Sequence, residues 1–354
     1  MGATPLRILK STRENWSKNL ADETIEQHPL LALLKEKGLI EYNVDGTDLK
    51  WTAKYKEAPL IPYADFDDLE FSRQDKLQVA QLDTRGYKAV DAISEKEMLQ
   101  NKGQHAIIKL FGKKAEDMKT DASSKLCAEL YVDGNAPGND KRFHGLESFM
   151  AVTTGSQTAA DQEATVYADS YGGLSTAKGA FGGSAGMREF DFWTPTVVST
   201  NATGQTWATH SDVQMRYAIS ETTFGHSEGN ALDLILLSRP AFRSAVNLLA
   251  TKERVIVDKS EVGIRKFGFK DTFNLDGVDV TFDPDLPTTD ATPDTVYGYG
   301  LTTGAMSLKI LNDQLWTSGD AFDPDRQAFK WWVGLYGNLV FRSPRHFVKF
   351  VDLV

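Results

Sequence analysis

The stretch "YGNLVFRSPRHFVKFVDLV", residues 336–354, constrains the fold more than any other. Leu339, Val340, Phe341, Phe347, Val348, Phe350, Val351, Leu353 and Val354 crowd it, and Pro344 is its punctuation. Apolar β-formers around a proline predict two short buried strands joined by a turn, a core hairpin. Terminal segments ordinarily fray unless they are tied down. The rest of the chain has to supply what buries this one.

The totals permit a sizeable core. A length of 354 residues suggests about two domains. A hydrophobic fraction of 41% and a charged fraction of 25% are ordinary for a globular chain. The formal net charge of -10 argues against a surface built throughout to grip phosphate, which needs Lys and Arg. A local basic face remains compatible with it. Cys127 is the only cysteine, so neither an intrachain disulfide nor a cysteine zinc cluster is possible. This fits a reducing compartment. No apolar run approaches the roughly 18 residues of a membrane helix. The first residues lack the apolar core of a signal peptide.

Residues 1–20 mix Arg7, Lys10, Arg13 and Lys18 with Glu14 and read as an arm. "HPLLALLKEKG" predicts a short helix, with Pro29 at its first position and Gly38 as its stop. "LKWTAKYK" then alternates strictly. Leu49, Trp51, Ala53 and Tyr55 fall on one face, and Lys50, Thr52, Lys54 and Lys56 on the other. That is a half-exposed strand. Prolines at 59 and 62 lead into an acidic stretch with Asp65, Asp67, Asp68 and Glu70, and "KLQVAQL" predicts a return strand. A long hairpin over residues 45–90 results. It has little core of its own and is marginal alone in water. Its apolar face therefore reads as a contact surface.

Ser94 and Glu97 form a capping box. Ile108, Phe111, Ala115, Met118, Ala122, Leu126 and Leu130 then recur at helical spacing, predicting one long helix over 94–132. "YGGLSTAKGAFGGSAG" at 171–186 reads as a mobile Gly-rich loop. A second helix is expected from Ser211, with Gln214 completing its capping box, to Gly225. "ALDLILL" predicts a buried strand leading into a helix capped by Ser238, with Phe242, Ala245, Val246 and Leu249 on one face. Strand-like pieces follow at 254–258, 278–282, 295–299 and 305–311.

Signatures of catalysis are weak. "GGSAG" matches the G-x-S-x-G elbow around Ser184, but no buried strand precedes it and no helix follows. "GYGLTTG" misses the dinucleotide fingerprint and runs into a strand. The six histidines show no close metal pair. Asp283 and Asp285 start like a calcium loop but lack its Gly and bidentate Glu. No cofactor is expected. "FKWWVGLYG" could stack bases, yet only Lys330 adds positive charge and such clusters are more often core.

The order of arm, hairpin, overlong helix and buried closing strands resembles the major capsid proteins of tailed bacteriophages, an α+β architecture called the Hong Kong 97-type fold. "HPLLALLKEKGLI" with "GTDLKWTAKYKEAPLIPYADFDDL" resembles that family's N-arm running into its extended β-hairpin loop. "DAISEKEMLQNKGQHAIIKLFGKKAEDM" resembles the start of its long spine helix. "RFHGLESF" and "YGGLSTAKG" resemble the segments after the spine. "ALDLILLSRPAFRSAV", "FGFKDTFNLDGVDVTFDPDLP" and "TVYGYGLTTGAMSLKI" are similar to its axial domain. "YGYGL" departs from the family by lacking an Asn after the tyrosine region.

The resemblance implies an N-terminal arm at 1–44, an extended loop at 45–93, and the spine helix with the peripheral domain at 94–230. An axial domain at 231–320 and C-terminal strands at 321–354 returning to the peripheral domain complete it. The function implied is self-assembly into hexamers and pentamers of an icosahedral shell around double-stranded DNA. No enzymatic activity is implied. Contact with neighbouring copies is expected from Leu49, Lys50, Trp51, Lys54, Tyr55, Lys56, Asp65, Asp67, Asp68 and Glu70 of the extended loop. Lys50, Lys54 and Lys56 are also placed where some members cross-link covalently, although a basic strand face is ordinarily just solvated. No long charged prefix precedes residue 28, which favours a separate scaffolding protein. A portal, a decoration protein and non-specifically held DNA are further implied partners, with no membrane. The implied location is the virion capsid, assembled in the host cytoplasm. An encapsulin-like shell holding protein cargo, and a hydrolase using Ser184, are the alternatives.

Overall fold

The computed structural model describes residues 29–54, 60–65, 68, 76–94, 96, 118, 121–122, 124–150, 170–181, 193–199, 206–223, 231–252, 272–288, 295–323 and 328–352. Residues 1–28 of the expected arm, residues 97–117 of the expected long helix, Ser184 and the strand-like piece at 254–258 lie outside these residues.

Helix α1 (Pro29–Glu36) forms where Pro29 fits the first turn, whose N–H groups have no intrahelical partner. Leu30, Leu31, Leu33 and Leu34 are buried. Gly38 ends the helix at φ 65°, a conformation that costs glycine little.

A six-stranded sheet in the order β7-β15-β11-β8-β10-β9 contains β7 (Thr196–Ser199), β8 (Leu234–Leu237), β9 (Thr272–Leu275), β10 (Val278–Phe282), β11 (Thr295–Leu301) and β15 (Val348–Asp352). Every residue of β8 is buried, and its alternation divides two cores. Leu234 and Leu236 join the larger core with Tyr299 and Leu301. Ile235 and Leu237 face helices α2 (Trp207–Thr222) and α3 (Arg239–Lys252), packing with Met215, Ala218, Ala241 and Ala245. A sheet covered on both faces needs apolar residues at both parities, which explains the uninterrupted "LILL". Strands β8 and β10 are parallel, so a crossover must join them, and α3 lies within it. Strand β11 carries a register shift between Val296 and Gly298. A Cβ on Gly298 would meet the Leu236 carbonyl oxygen well inside contact distance. Glycine is therefore required in the middle of "YGYGL", the stretch that departs from the resembled pattern.

The second sheet is five-stranded. It runs β1 (Ile40–Glu41), β12 (Met306–Ile310), β14 (Ala328–Phe341) and β13 (Thr317–Asp323), with β4 (Arg85–Ser94) also paired to β14. Strand β14, 14 residues long, is its axis. Strands β2 (Asp48–Lys54) and β3 (Leu77–Asp83) form a separate antiparallel hairpin.

The C-terminal segment is not the hairpin expected. Strands β14 and β15 flank a single 3-10 turn at Pro344–His346 but enter different sheets. Strand β15 lies between β11 and β7, among strands that include residues 231–320. Strand β14 pairs with β4, β12 and β13. The reason is β14's length: it outruns any local partner and ties one sheet to the other through a short switch.

Three other expectations change. The second helix begins at Trp207, a turn earlier than Ser211. The Thr206 N–H donates to Thr209 Oγ1 at 3.2 Å, while Gln214 is buried and its Nε2 reaches the Ser199 carbonyl at 3.5 Å. The Gly-rich stretch opens as a tight hairpin, with β5 (Ser170–Tyr171) against β6 (Leu174–Ser175). Gly172 and Gly173 turn it at φ 61° and 77°. Residues 124–129 are helical and the chain turns at Leu130, so the long helix ends before the expected residue 132. Its buried Met118, Ala122, Leu126 and Leu130 follow the expected stripe.

Candidate intersubunit surface

The β2–β3 hairpin carries most of the described residues expected to meet another copy. Its register opposes Lys50 to Gln81, Trp51 to Ala80, Thr52 to Val79 and Lys54 to Leu77. Side chains alternate across a strand. The hairpin therefore has an inner face of Leu49, Trp51, Ala53, Ala80 and Leu82, and an outer face of Lys50, Thr52, Lys54, Leu77, Val79 and Gln81.

The inner face is already occupied. Leu49, Ala53, Ala80 and Leu82 belong to the chain's own core. Trp51 stacks on Trp193 at 6.3 Å, lies 6.0 Å from Tyr171, and donates Nε1–H to the Arg342 carbonyl at 3.2 Å. Gly172 presses in beside it and accepts from the Gln81 N–H at 3.0 Å. Leu49, 3% exposed, packs within the chain's own core, and Trp51 packs largely against the same chain. The β5–β6 turn, read as a loose loop, is what covers them.

The outer face is open. Lys50 and Lys54 are exposed, as expected, and so are Leu77 (61%) and Val79 (56%). The last two were missed because "LQVAQL" alternates without revealing which parity faces inward. The register settles it, since Ala80 and Leu82 oppose Trp51 and Leu49. Beyond β2 the chain exposes Leu60 (98%), Ile61 and Tyr63 in non-regular backbone, with Asp65 and Asp68 also exposed. Tyr55, Lys56, Asp67 and Glu70 lie outside the described residues.

Below the hairpin, β4 is fixed by polar groups. Arg142 clasps Glu129 with Nε to Oε2 at 2.9 Å and Nη2 to Oε1 at 2.6 Å. Tyr87 donates to Glu129 Oε2 at 2.6 Å and accepts from the Phe143 N–H at 2.7 Å. Burial, reinforced by that carboxylate, pushes the Tyr87 phenol up. Arg85 donates to the carbonyls of Gly134, Asn139 and Arg142. Asn338 joins β14 to this corner. Its Nδ2 donates to the Asp83 carbonyl and to His144 Nδ1, both at 2.8 Å. Burial, aided by the Arg85 charge, holds His144 down at about 4.

The helical turn Glu147–Met150 is tied to the six-stranded sheet by a buried ion pair. Lys349 of β15 places Nζ 2.8 Å from Glu147 Oε2 and 3.3 Å from the Met150 carbonyl. Tyr299 of β11 donates to the other Glu147 oxygen. Tyr131 stacks on Tyr299 at 5.6 Å and donates to Asp283 Oδ2 at 2.7 Å. Asp283 also accepts from the Asp285 N–H. The calcium-like start is a turn tied to a tyrosine. Among the described residues no cluster of His, Cys, Asp and Glu is placed to hold a metal. Trp331 and Trp332 lie in β14, with Lys88 Nζ 4.6 Å above the Trp332 ring.

No protein-family model and no curated protein matches the chain. Solved structures do. The capsid of a native GTA particle aligns with a TM-score of 0.56 at 10% identity, covering 90% of this chain and 89% of that one. The capsid of cyanophage A-1(L) aligns with a TM-score of 0.57 at 15% identity, covering 90% and 92%. The capsid of an empty GTA particle gives 0.55 at 9% identity, covering 91% and 90%. Identities this low speak to the arrangement of the chain, and that arrangement is the Hong Kong 97-type fold of phage capsid proteins.

Proposed function

We propose that this chain is a major capsid protein, building the hexamers and pentamers of an icosahedral shell around double-stranded DNA. The observation that carries the reading is the alignment over about nine-tenths of both chains with capsid subunits. The open outer face of the hairpin supports it. Exposed apolar side chains beside charged ones are the usual mark of an interface. Lys50, Lys54, Leu77 and Val79, with Asp65 and Asp68 further along, are the proposed contact residues. A separate scaffolding protein, a portal and a decoration protein are the proposed partners. The net charge of -10 suits DNA that is confined rather than gripped. The proposed place of assembly is the cytoplasm of a bacterial host.

Negative-stain microscopy of the expressed protein, with sedimentation velocity, tests this. Closed shells that protect DNA from nuclease are expected when the chain is expressed with its scaffold. Shells filled with protein cargo would favour a compartment instead. A chain that stays monomeric alone and with scaffold would overturn the reading.

A further inference from the structure

We draw no further inference here: the strongest candidate, the exposed face of the five-stranded sheet on which Val90 lies opposite Trp332 and Lys88 reaches over the Trp332 and Tyr336 rings, carries nothing because nothing in the structure shows what covers it.

Discussion

The six-stranded sheet and the β2–β3 hairpin use similar residues in opposite ways. In β8 all four residues are buried, and the strand separates two cores. In β2 burial alternates, with Leu49 and Ala53 inside and Lys50, Thr52 and Lys54 outside. The difference teaches where the subunit is complete. The sheet has no face left to offer, because helices cover one side and the larger core the other. The hairpin keeps one face for itself and leaves one open. An element that reads from its residues as a clasp for neighbours is therefore half a structural part of its own subunit.

The sharpest way to break this comparison is inside the sheet. Lys349→Ala should leave Glu147 buried without its cation and destabilise the subunit by about 3–5 kcal/mol. Chemical denaturation would measure it, and the double change Lys349→Met with Glu147→Gln should recover most of the loss. A single variant as stable as the parent would mean that the pair does not hold the turn at Glu147–Met150 to the sheet. Leu49→Ala probes the hairpin's inner face and should cost about 2–4 kcal/mol, as for a buried leucine that leaves a cavity. A value near zero would return Leu49 to the open side.

Acid should separate the regions as well. His144 and His346 are both held down at about 4, each mainly by burial. The unfolded chain binds these protons first, near pH 6.5, and the folded chain binds them only near 4. Their contribution is complete above about pH 6.5 and is lost as pH falls toward about 4. Denaturation midpoints should drop over that window, and His144→Asn should flatten the drop. The smallest effect belongs to the outer face. Val79→Ser or Lys50→Ala should change subunit stability by no more than about 0.5 kcal/mol. Val79→Ser should nevertheless lower the yield of shells, which sedimentation would report. A destabilised subunit would show that the outer face is covered internally.

Much of this division could be read from the residues. The alternation in 48–54 and the continuous run "LILL" each follow from how many faces a strand buries. The stripe Met118, Ala122, Leu126 and Leu130 and the proline start of α1 were equally plain. The misreadings share a cause. Partner choice along β14 and β15 depends on strands far away in the chain, and two apolar runs around a proline look like a hairpin whether or not they pair. Gly172 and Gly173 signalled looseness when they serve a tight turn against Trp51. The start at Trp207 is set by a Thr206–Thr209 capping box, less familiar than one closed by Glu or Gln, and its indole is anchored to the Ala241 carbonyl at 2.9 Å. The open parity of β3 exists only once the strands are assembled.

The switch at Pro344–His346 has a consequence for timing. Strand β14 is the axis of one sheet and β15 an interior strand of the other. A ribosome delivers residues in order, and earlier parts usually begin folding first. Here the five-stranded sheet lacks its axis, and the six-stranded sheet lacks the strand that joins β7 to β11, until residues 328–352 have emerged. Strands such as β4, β11 and β12 must wait with open edges for partners made up to about 250 residues later. A nascent copy cannot become a competent building block piecemeal, and crowded synthesis is when its edges are most open to the wrong neighbour. Whatever holds copies apart in that interval, a chaperone or a scaffold, acts on a chain whose two sheets are both completed only by its last strands.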